Sequence, residues 1–421
     1  MAYPDSVDFL YSLGNEVKSI KFGLEGIQAL LRELGNPHLG YPTIHVAGTN
    51  GKGSTCAMIE SSLRTAGTRT GLYTSPHLID PTERIQIDGV PVSRAEFAGV
   101  FDRVHEAAER LVANGTLEHH TTYFETVTAM GFMLFREAKV EVAVIETGLG
   151  GRLDATNVVN PELCVITPID FDHEAFLGSS LESIAAEKAG ILKPAVPLVL
   201  APQRPEAEAV VAARAHDLRV PIQRVADKGL SGVLFEPYGS QFEVDGLQIR
   251  CPLPGEHQVQ NAATAVTALK HLGVPNEAIE RGVAGTTWPG RLERVATGPD
   301  IVLDGAHNPA GARALARYIE SFHAGRRPVW LVYGTMRDKS VEEITELLFP
   351  LADRIILTAP AQPRAVRPEL LREAAERNGA CSTATGVVQA IEFARQAPSD
   401  AVVFVTGSLY LVGEARAILV K

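Results

Sequence analysis

The chain reads as an α/β protein of two domains, and three observations carry that reading. A β-branched run, Thr43–Val46, enters a glycine-rich turn and leaves it on a helix-competent segment, Cys56–Glu60. That is the strand–loop–helix unit of a parallel sheet. The same alternation of short apolar runs and helical periodicity restarts after Trp288-Pro289-Gly290-Arg291. A length of 421 residues also exceeds what one core usually organises. The boundary therefore falls at 290/291, with a larger P-loop domain over 1–290 and a smaller Rossmann-like domain over 291–421.

Taken in order, Leu24, Ile27, Leu30, Leu31 and Leu34 predict a helix that Gly35-Asn36-Pro37 ends. Arg69–Thr74 is a second strand, stopping at Ser75-Pro76-His77-Leu78, and Glu83–Gly89 is a hairpin arm. Helices are expected over Arg94–Asn114 and Phe124–Ala138. Strands at Val140–Glu146 and Leu163–Pro168 then carry Glu146, Asp170, Asp172 and His173 to their ends. In an open parallel sheet ligands sit at the carboxyl ends of strands, so these residues can share one crevice with the first loop. Ser179 with Glu182 predicts a capping box for a helix through Ala189, followed by a strand over Val196–Leu200. Alternation over Gly232–Pro252 predicts antiparallel strands, and a helix runs from Gly255 to about His271. Beyond the boundary, four strands are expected at Ile301–Leu303, Val329–Val332, Arg354–Thr358 and Ala401–Val405. Helices Ala312–Phe322, Val341–Leu348 (capped by Ser340 with Glu343), Pro368–Arg377 and Val387–Arg395 lie between them.

Composition excludes several classes. Hydrophobic content of 45% and charged content of 21% describe an ordinary globular protein, and a net charge of −11 disfavours nucleic acid and anionic membranes as partners. Cys56, Cys164, Cys251 and Cys381 have no paired spacing and are expected as free thiols rather than zinc ligands. No apolar run reaches spanning length and no signal-peptide pattern is present, so a cytoplasmic protein is expected.

The glycine-rich turn Gly48-Thr49-Asn50-Gly51-Lys52-Gly53-Ser54-Thr55 has the parts of a phosphate cradle. Glycines let backbone N–H groups turn inward, a helix N-terminus adds partial positive charge, Lys52 supplies a mobile cation, and Ser54 and Thr55 offer hydroxyls to Mg²⁺. The usual G-x-x-x-x-G-K-[ST] pattern is not met, because Val46 holds the first glycine's place and Gly53 follows the lysine. A tight turn with an exposed lysine is the plain alternative. For Glu146 the plain alternative is a surface acid, and for Lys188 a helix-surface lysine paired with Glu187.

The shortened loop G-T-N-G-K-G-S resembles that of the Mur-ligase superfamily, and within it the folylpolyglutamate synthase/dihydrofolate synthase family. The run Glu146-Thr147-Gly148-Leu149-Gly150-Gly151-Arg152-Leu153-Asp154-Ala155-Thr156-Asn157 matches the family signature E-x-G-x-G-G-R-x-D-x-T-N without a gap. Asp172-His173, Phe176-Leu177-Gly178 and Glu187-Lys188-Ala189-Gly190-Ile191 resemble its next block. Gly255-Glu256-His257-Gln258 with Asn261-Ala262-Ala263, Trp288–Glu293 and Asp304-Gly305-Ala306-His307-Asn308 follow in the family's order. The likeness runs from Phe22-Gly23-Leu24-Glu25 to Ser408.

The resemblance implies a Mur-ligase-type fold and an ATP-dependent amide ligase: γ-phosphate transfer to a substrate carboxylate, then attack of L-glutamate on the acyl phosphate. Folate or dihydropteroate would be the acceptor, ATP and Mg²⁺ the cofactors, and a monomer the expected state. It implies Ser75, Glu146 and His173 as Mg²⁺ ligands, with Lys188 carbamylated and bridging a second ion. Gln258 and Asn261 would face adenine, Asp304 the ribose, and Arg291 the γ-phosphate. His307, Ser408 and Tyr410 would receive glutamate, although a plain N-cap for Ser408 and a core role for Tyr410 stay open. Thr122, Phe124, Arg152 and Asp154 would meet the pterin. A Mur-type ligase of cell-wall precursors shares the loop but lacks the Glu146–Asn157 signature. A P-loop NTPase without ligase activity would need neither Trp288–Glu293 nor Asp304–Asn308.

Overall fold

The computed structural model describes residues 1–14 and 23–420, and Phe22, where the family likeness begins, lies outside the described residues. The first sheet contains β1 (Thr43–Ala47), β2 (Thr70–Tyr73), β3 (Ile85–Ile87), β4 (Val90–Pro91), β5 (Val142–Glu146), β6 (Leu163–Ile166), β7 (Leu198–Leu200) and β8 (Ile222–Arg224). Their order is β4-β3-β2-β5-β1-β6-β7-β8. From β2 to β8 neighbours run parallel, and β3 and β4 form an antiparallel edge.

A parallel sheet is buried on both faces, and every residue of β1 is buried. Helices Glu25–Glu33, Arg94–Ala113 and Tyr123–Ala138 cover one face with Leu30, Phe101, Val127 and Phe135. The other face packs on helices Lys52–Thr65 and Glu256–His271 through Ile59, Val259 and Val266. Capping boxes start two of these helices, Ser93 with Glu96 and Thr122 with Glu125. The third capping box is displaced from its expected place. Ser180, not Ser179, caps Leu181–Ala189, and its partner is Ser183 rather than Glu182. Hydroxyl spacing alone did not distinguish two adjacent serines.

The alternation after Gly232 resolves into an antiparallel sheet of β9 (Ser231–Glu236), β10 (Gly239–Val244) and β11 (Leu247–Cys251). Phe242, Val244, Leu247 and Ile249 point inward to the core they share with Glu256–His271.

The last sheet has β12 (Glu293–Ala296), β13 (Asp300–Leu303), β14 (Val329–Tyr333), β15 (Arg354–Leu357), β16 (Ala380–Thr383) and β17 (Val402–Thr406), ordered β12-β13-β17-β14-β15-β16. Two strands thus join the four expected. Both are edge strands, β12 antiparallel to β13 and β16 parallel to β15. Edges are covered on fewer sides and need no continuous apolar run, so Ala380-Cys381-Ser382-Thr383 carried no strand signal. Ser340 precedes Val341–Leu348 without a side-chain capping bond, and Glu343, its expected partner, pairs with Arg313 at 2.8 Å. Pro368–Arg377 divides into a 3₁₀ turn, Pro368–Leu371, and a short helix, Arg372–Glu376. Helices Tyr3–Ser12, Pro205–Asp217 and Asn276–Ala284 join the cores of the first two sheets, and Pro309–Phe322, Val387–Ala394 and the last helix, Leu409–Leu419, join those of the last sheet. Cys56, Cys164 and Cys251 are buried free thiols and Cys381 is half-buried. Among the described residues no helix is long and apolar enough to cross a membrane.

Candidate functional site

Loops at the carboxyl ends of β1, β2, β5 and β6 converge with those following β13, β14 and β17 on one cavity of about 720 Å³. The loop after β1 is shaped by two glycines. Gly48 (φ +148°) lies where a Cβ would collide with Thr167, and Gly51 (φ +86°) where it would collide with Asn261. Lys52 opens the following helix, and its Nζ donates to the carbonyls of Gly48 (3.1 Å) and Thr49 (3.2 Å). Thr49 ties the loop to Asp170 through a 2.9 Å bond from its hydroxyl to the backbone oxygen. Gly48 to Ser54 line the cavity, whereas the Thr55 hydroxyl is buried behind the loop without a partner and does not line it. Gln258 Nε2 donates to Ser54 Oγ at 3.3 Å, and Asn261 Nδ2 to Gln258 Oε1 at 3.0 Å. The carboxamide pair therefore stands against the apex of the loop.

Burial sets the charges here. Glu146, at the end of β5, is 4% exposed and accepts from the Ser75 amide at 3.1 Å. Desolvation pushes its carboxyl up to about 7 against the opposing pull of Lys52. Lys188 is equally buried and donates to Gly48 O at 2.9 Å; burial, then the Lys52 charge, push it down to about 7. His173 sits in the left-handed region (φ +53°), and burial pushes its imidazole down to about 4. Arg291 is half-buried near Asp304 and Glu146, which offset part of the downward push of desolvation on its guanidinium.

Asp172 joins the two large sheets. Its carboxylate accepts from Lys339 Nζ at 2.6 Å and from Asn308 Nδ2 at 3.0 Å, with His307 Nε2 at 3.5 Å. Burial alone would raise its pKa; His307, then Lys339 and His173, overcome that and hold it well below the carboxylate range. Asn308 Nδ2 also donates to Asn50 Oδ1 at 3.0 Å, and Arg313 reaches Asp170 at 3.4 Å. His307 is oriented by a 2.7 Å bond between Nδ1 and Gly305 O. Asp304 accepts the amides of Leu292 and Ala306, both at 3.0 Å, and Ser408 caps the last helix by accepting from Tyr410 N.

On the opposite wall Thr122 and Phe124 line the cavity, with the Thr122 hydroxyl committed to Glu125. Gly148 has no room for a Cβ beside the Phe124 ring. Asp154 also lines the cavity, but its oxygens accept from the amides of Gly148, Leu149 and Thr156 and from the Thr156 hydroxyl. Its geometry builds the loop. Arg152 stays out of the cavity lining and pairs at the surface with Glu187 at 2.8 Å. The other expected residues, Ser75, Glu146, His173, Lys188, Gln258, Asn261, Arg291, Asp304, His307, Ser408 and Tyr410, all line the cavity. Lys339 was not anticipated. It follows the Gly334 turn in a segment without a recognised motif, and only its contact with Asp172 marks it.

Residues 46–269 match the family model of the Mur ligase middle domain, and residues 290–409 that of the Mur ligase glutamate ligase domain. The chain is 37% identical to the dihydrofolate synthase/folylpolyglutamate synthase of Bacillus subtilis, covering 99% of this chain and 98% of that protein. It is likewise 37% identical to a Haloferax volcanii protein named "Probable bifunctional folylpolyglutamate synthase/dihydropteroate synthase", of which it spans only half the length. The structure of Mycobacterium tuberculosis folylpolyglutamate synthase complexed with ADP superposes with a TM-score of 0.92 at 33% identity, over 100% of this chain and 98% of that one.

Proposed function

Because this chain belongs to the folylpolyglutamate synthase/dihydrofolate synthase family of Mur ligases, we propose that it joins L-glutamate to the carboxylate of a folate or of dihydropteroate in an ATP-dependent reaction. The substrate carboxylate oxygen attacks the γ-phosphorus, ADP leaves, and an acyl phosphate forms. The glutamate amine then attacks the acyl carbon and loses a proton, and phosphate departs as the amide forms. The observation that carries this reading is the meeting of the Gly48–Ser54 loop and the Asp304–Asn308 loop, from different sheets, in one cavity. Hydrolysis of ATP alone would need only the first loop.

In this reading Lys52 and Arg291 neutralise charge on the transferring phosphoryl group, and Gln258 and Asn261 complement the adenine edge. Asp304 keeps the Arg291 segment in place beside the ribose. Thr122, Phe124 and Asp154 form the pterin wall, with Arg152 holding Glu187 behind it. His307, Ser408 and Tyr410 take up glutamate. Glu146, Ser75 and His173 suit a hard divalent ion: a buried carboxylate starved of solvent needs a cation, and an imidazole with a lowered pKa is a neutral donor. Mg²⁺ bound there would offset phosphate charge. The depressed pKa of Lys188 supplies the neutral amine that a carbamate requires, and the modified side chain would hold a second ion. The division at 290/291 separates the ATP-binding part from the glutamate-ligase part. One chain supplies every residue named, so a monomer suffices, and the metabolite substrates favour the cytoplasm.

The test is whether ADP release requires both partners. Dihydropteroate and tetrahydrofolate, each with and without glutamate, should give ADP only in the complete mixtures. Turnover with both acceptors would make the enzyme bifunctional. Glutamate-independent ADP release at the full rate would overturn the ligase reading.

A further inference from the structure

Outside the residues that line the cavity, the helix Arg94–Ala113 carries His105 and Glu109 one turn apart, and the following loop brings His120 against them. One ligand atom from each of the three lies within 4.8 Å of the other two. We infer that His105, Glu109 and His120 form a binding site for a transition-metal dication of the zinc class, separate from the ligase chemistry.

Residues four apart on a helix share a face, so His105 and Glu109 present their donors together. His105 Nδ1 and His120 Nε2 stand 3.1 Å apart, close to the separation of two donors on one small ion. The remaining nitrogen of His120 faces the Thr121 carbonyl at 2.9 Å. A proton donated there leaves Nε2 as a lone pair aimed at the shared point. This is the arrangement by which a backbone carbonyl fixes the tautomer of a metal-bound histidine. Both rings are held in place by packing. Phe9 lies edge-on to His105 and His120, with centroids 4.5 and 5.4 Å away, and Phe101 stacks on His105 at 5.5 Å. Two imidazoles and one carboxylate, with a side open to water past exposed Glu109, favour Zn²⁺ over the Mg²⁺ that an all-oxygen set would take.

The site has a structural consequence. His120 is two residues before Thr122, which caps the helix Tyr123–Ala138 and lines the cavity beside Phe124. A bound ion would clip the helix Arg94–Ala113 to the segment that supports this wall.

The full chain, stripped with chelator and held in excess Mg²⁺ to mask the hard-cation donors of the cavity, is titrated with Zn²⁺ by calorimetry. Wild type should take up one equivalent more than His120→Ala or His105→Ala, and Glu109→Gln should weaken that equivalent about tenfold. Zn²⁺ should raise the thermal midpoint of wild type and not of His120→Ala. His120 lies in a loop and Glu109 is exposed, so those two variants decide the matter even if His105→Ala folds poorly. Equal stoichiometry and affinity in wild type and His120→Ala would overturn the site and leave a simple histidine–histidine hydrogen bond.

Discussion

The two walls of the cavity are built on different principles. On the side of the first sheet, Glu146 and Lys188 are buried and His173 half-buried with few compensating bonds, and desolvation moves the pKa of each away from its ordinary value. On the side of the last sheet, Asp304, Asn308 and Ser408 spend their polar atoms on neighbouring amides and on helix caps. The first wall is left electrostatically incomplete, and in the proposed reaction phosphates and cations would complete it. The second is the more complete, spending most of its polar atoms on its own backbone to position a loop, although burial also raises the Asp304 carboxyl and Asn308 Nδ2 turns to Asn50 and Asp172. Asp172 links them, reaching from the first wall to Lys339, Asn308 and His307 of the second. In the proposed reaction, which brings three substrates together, buried charge would thus lie mainly on one side and fixed geometry on the other.

If that contrast holds, the largest losses come from the incomplete wall. Lys52→Ala should lower turnover about 10³-fold while leaving the thermal midpoint nearly unchanged, since the ammonium bonds only to carbonyls of its own loop. Steady-state rates and a melting curve check both halves. A midpoint lowered by many degrees would make Lys52 a structural residue.

The next effect concerns stability without ligands. Between about pH 4.5 and 7 folded Glu146 holds a proton that the unfolded chain has released. Stability therefore falls as pH rises through that window, by on the order of 3 kcal/mol. Lys188 acts in the opposite sense: from about pH 7 to 10.5 the unfolded chain holds the extra proton, and stability rises with pH. Glu146→Gln should erase the acid-side fall and Lys188→Met the alkaline rise. Urea unfolding across pH measures both, and an unchanged acid-side slope in Glu146→Gln would show that burial does not govern that carboxyl.

The complete wall should respond least and more selectively. His307→Ala should raise the apparent constant for glutamate about tenfold, the loss of roughly one charged hydrogen bond, and that for ATP less than twofold. Steady-state titration of each substrate decides it. Equal losses for both would mean that the last sheet does not carry the acceptor site.

Much of this was readable before the fold was known. Glycine-rich turns and the Glu146–Asn157 run are local features, and the strands behind them, Thr43–Ala47 and Val142–Glu146, are short and mostly buried. Misplacements fell where local chemistry is degenerate, as with Ser179 and Ser180, or where the expected partner pairs at a distance, as with Glu343 and Arg313. Arg152 shows the same limit. Its place in the signature is legible, but its direction depends on Glu187, thirty-five residues away.

By itself the sequence determined the alternation of strands and helices, the glycine-rich loop after β1 and most of the expected residues that reach the cavity, because strand ends and glycine turns are set by nearby residues. Only the tertiary structure decided that Asp172 meets Lys339, a pair 167 positions apart, and that His105 meets His120 across a loop. It also decided the direction in which burial moves the pKa values of Glu146 and Lys188. Those depend on how much water the surrounding chain excludes, a property of the packed whole that no short segment encodes.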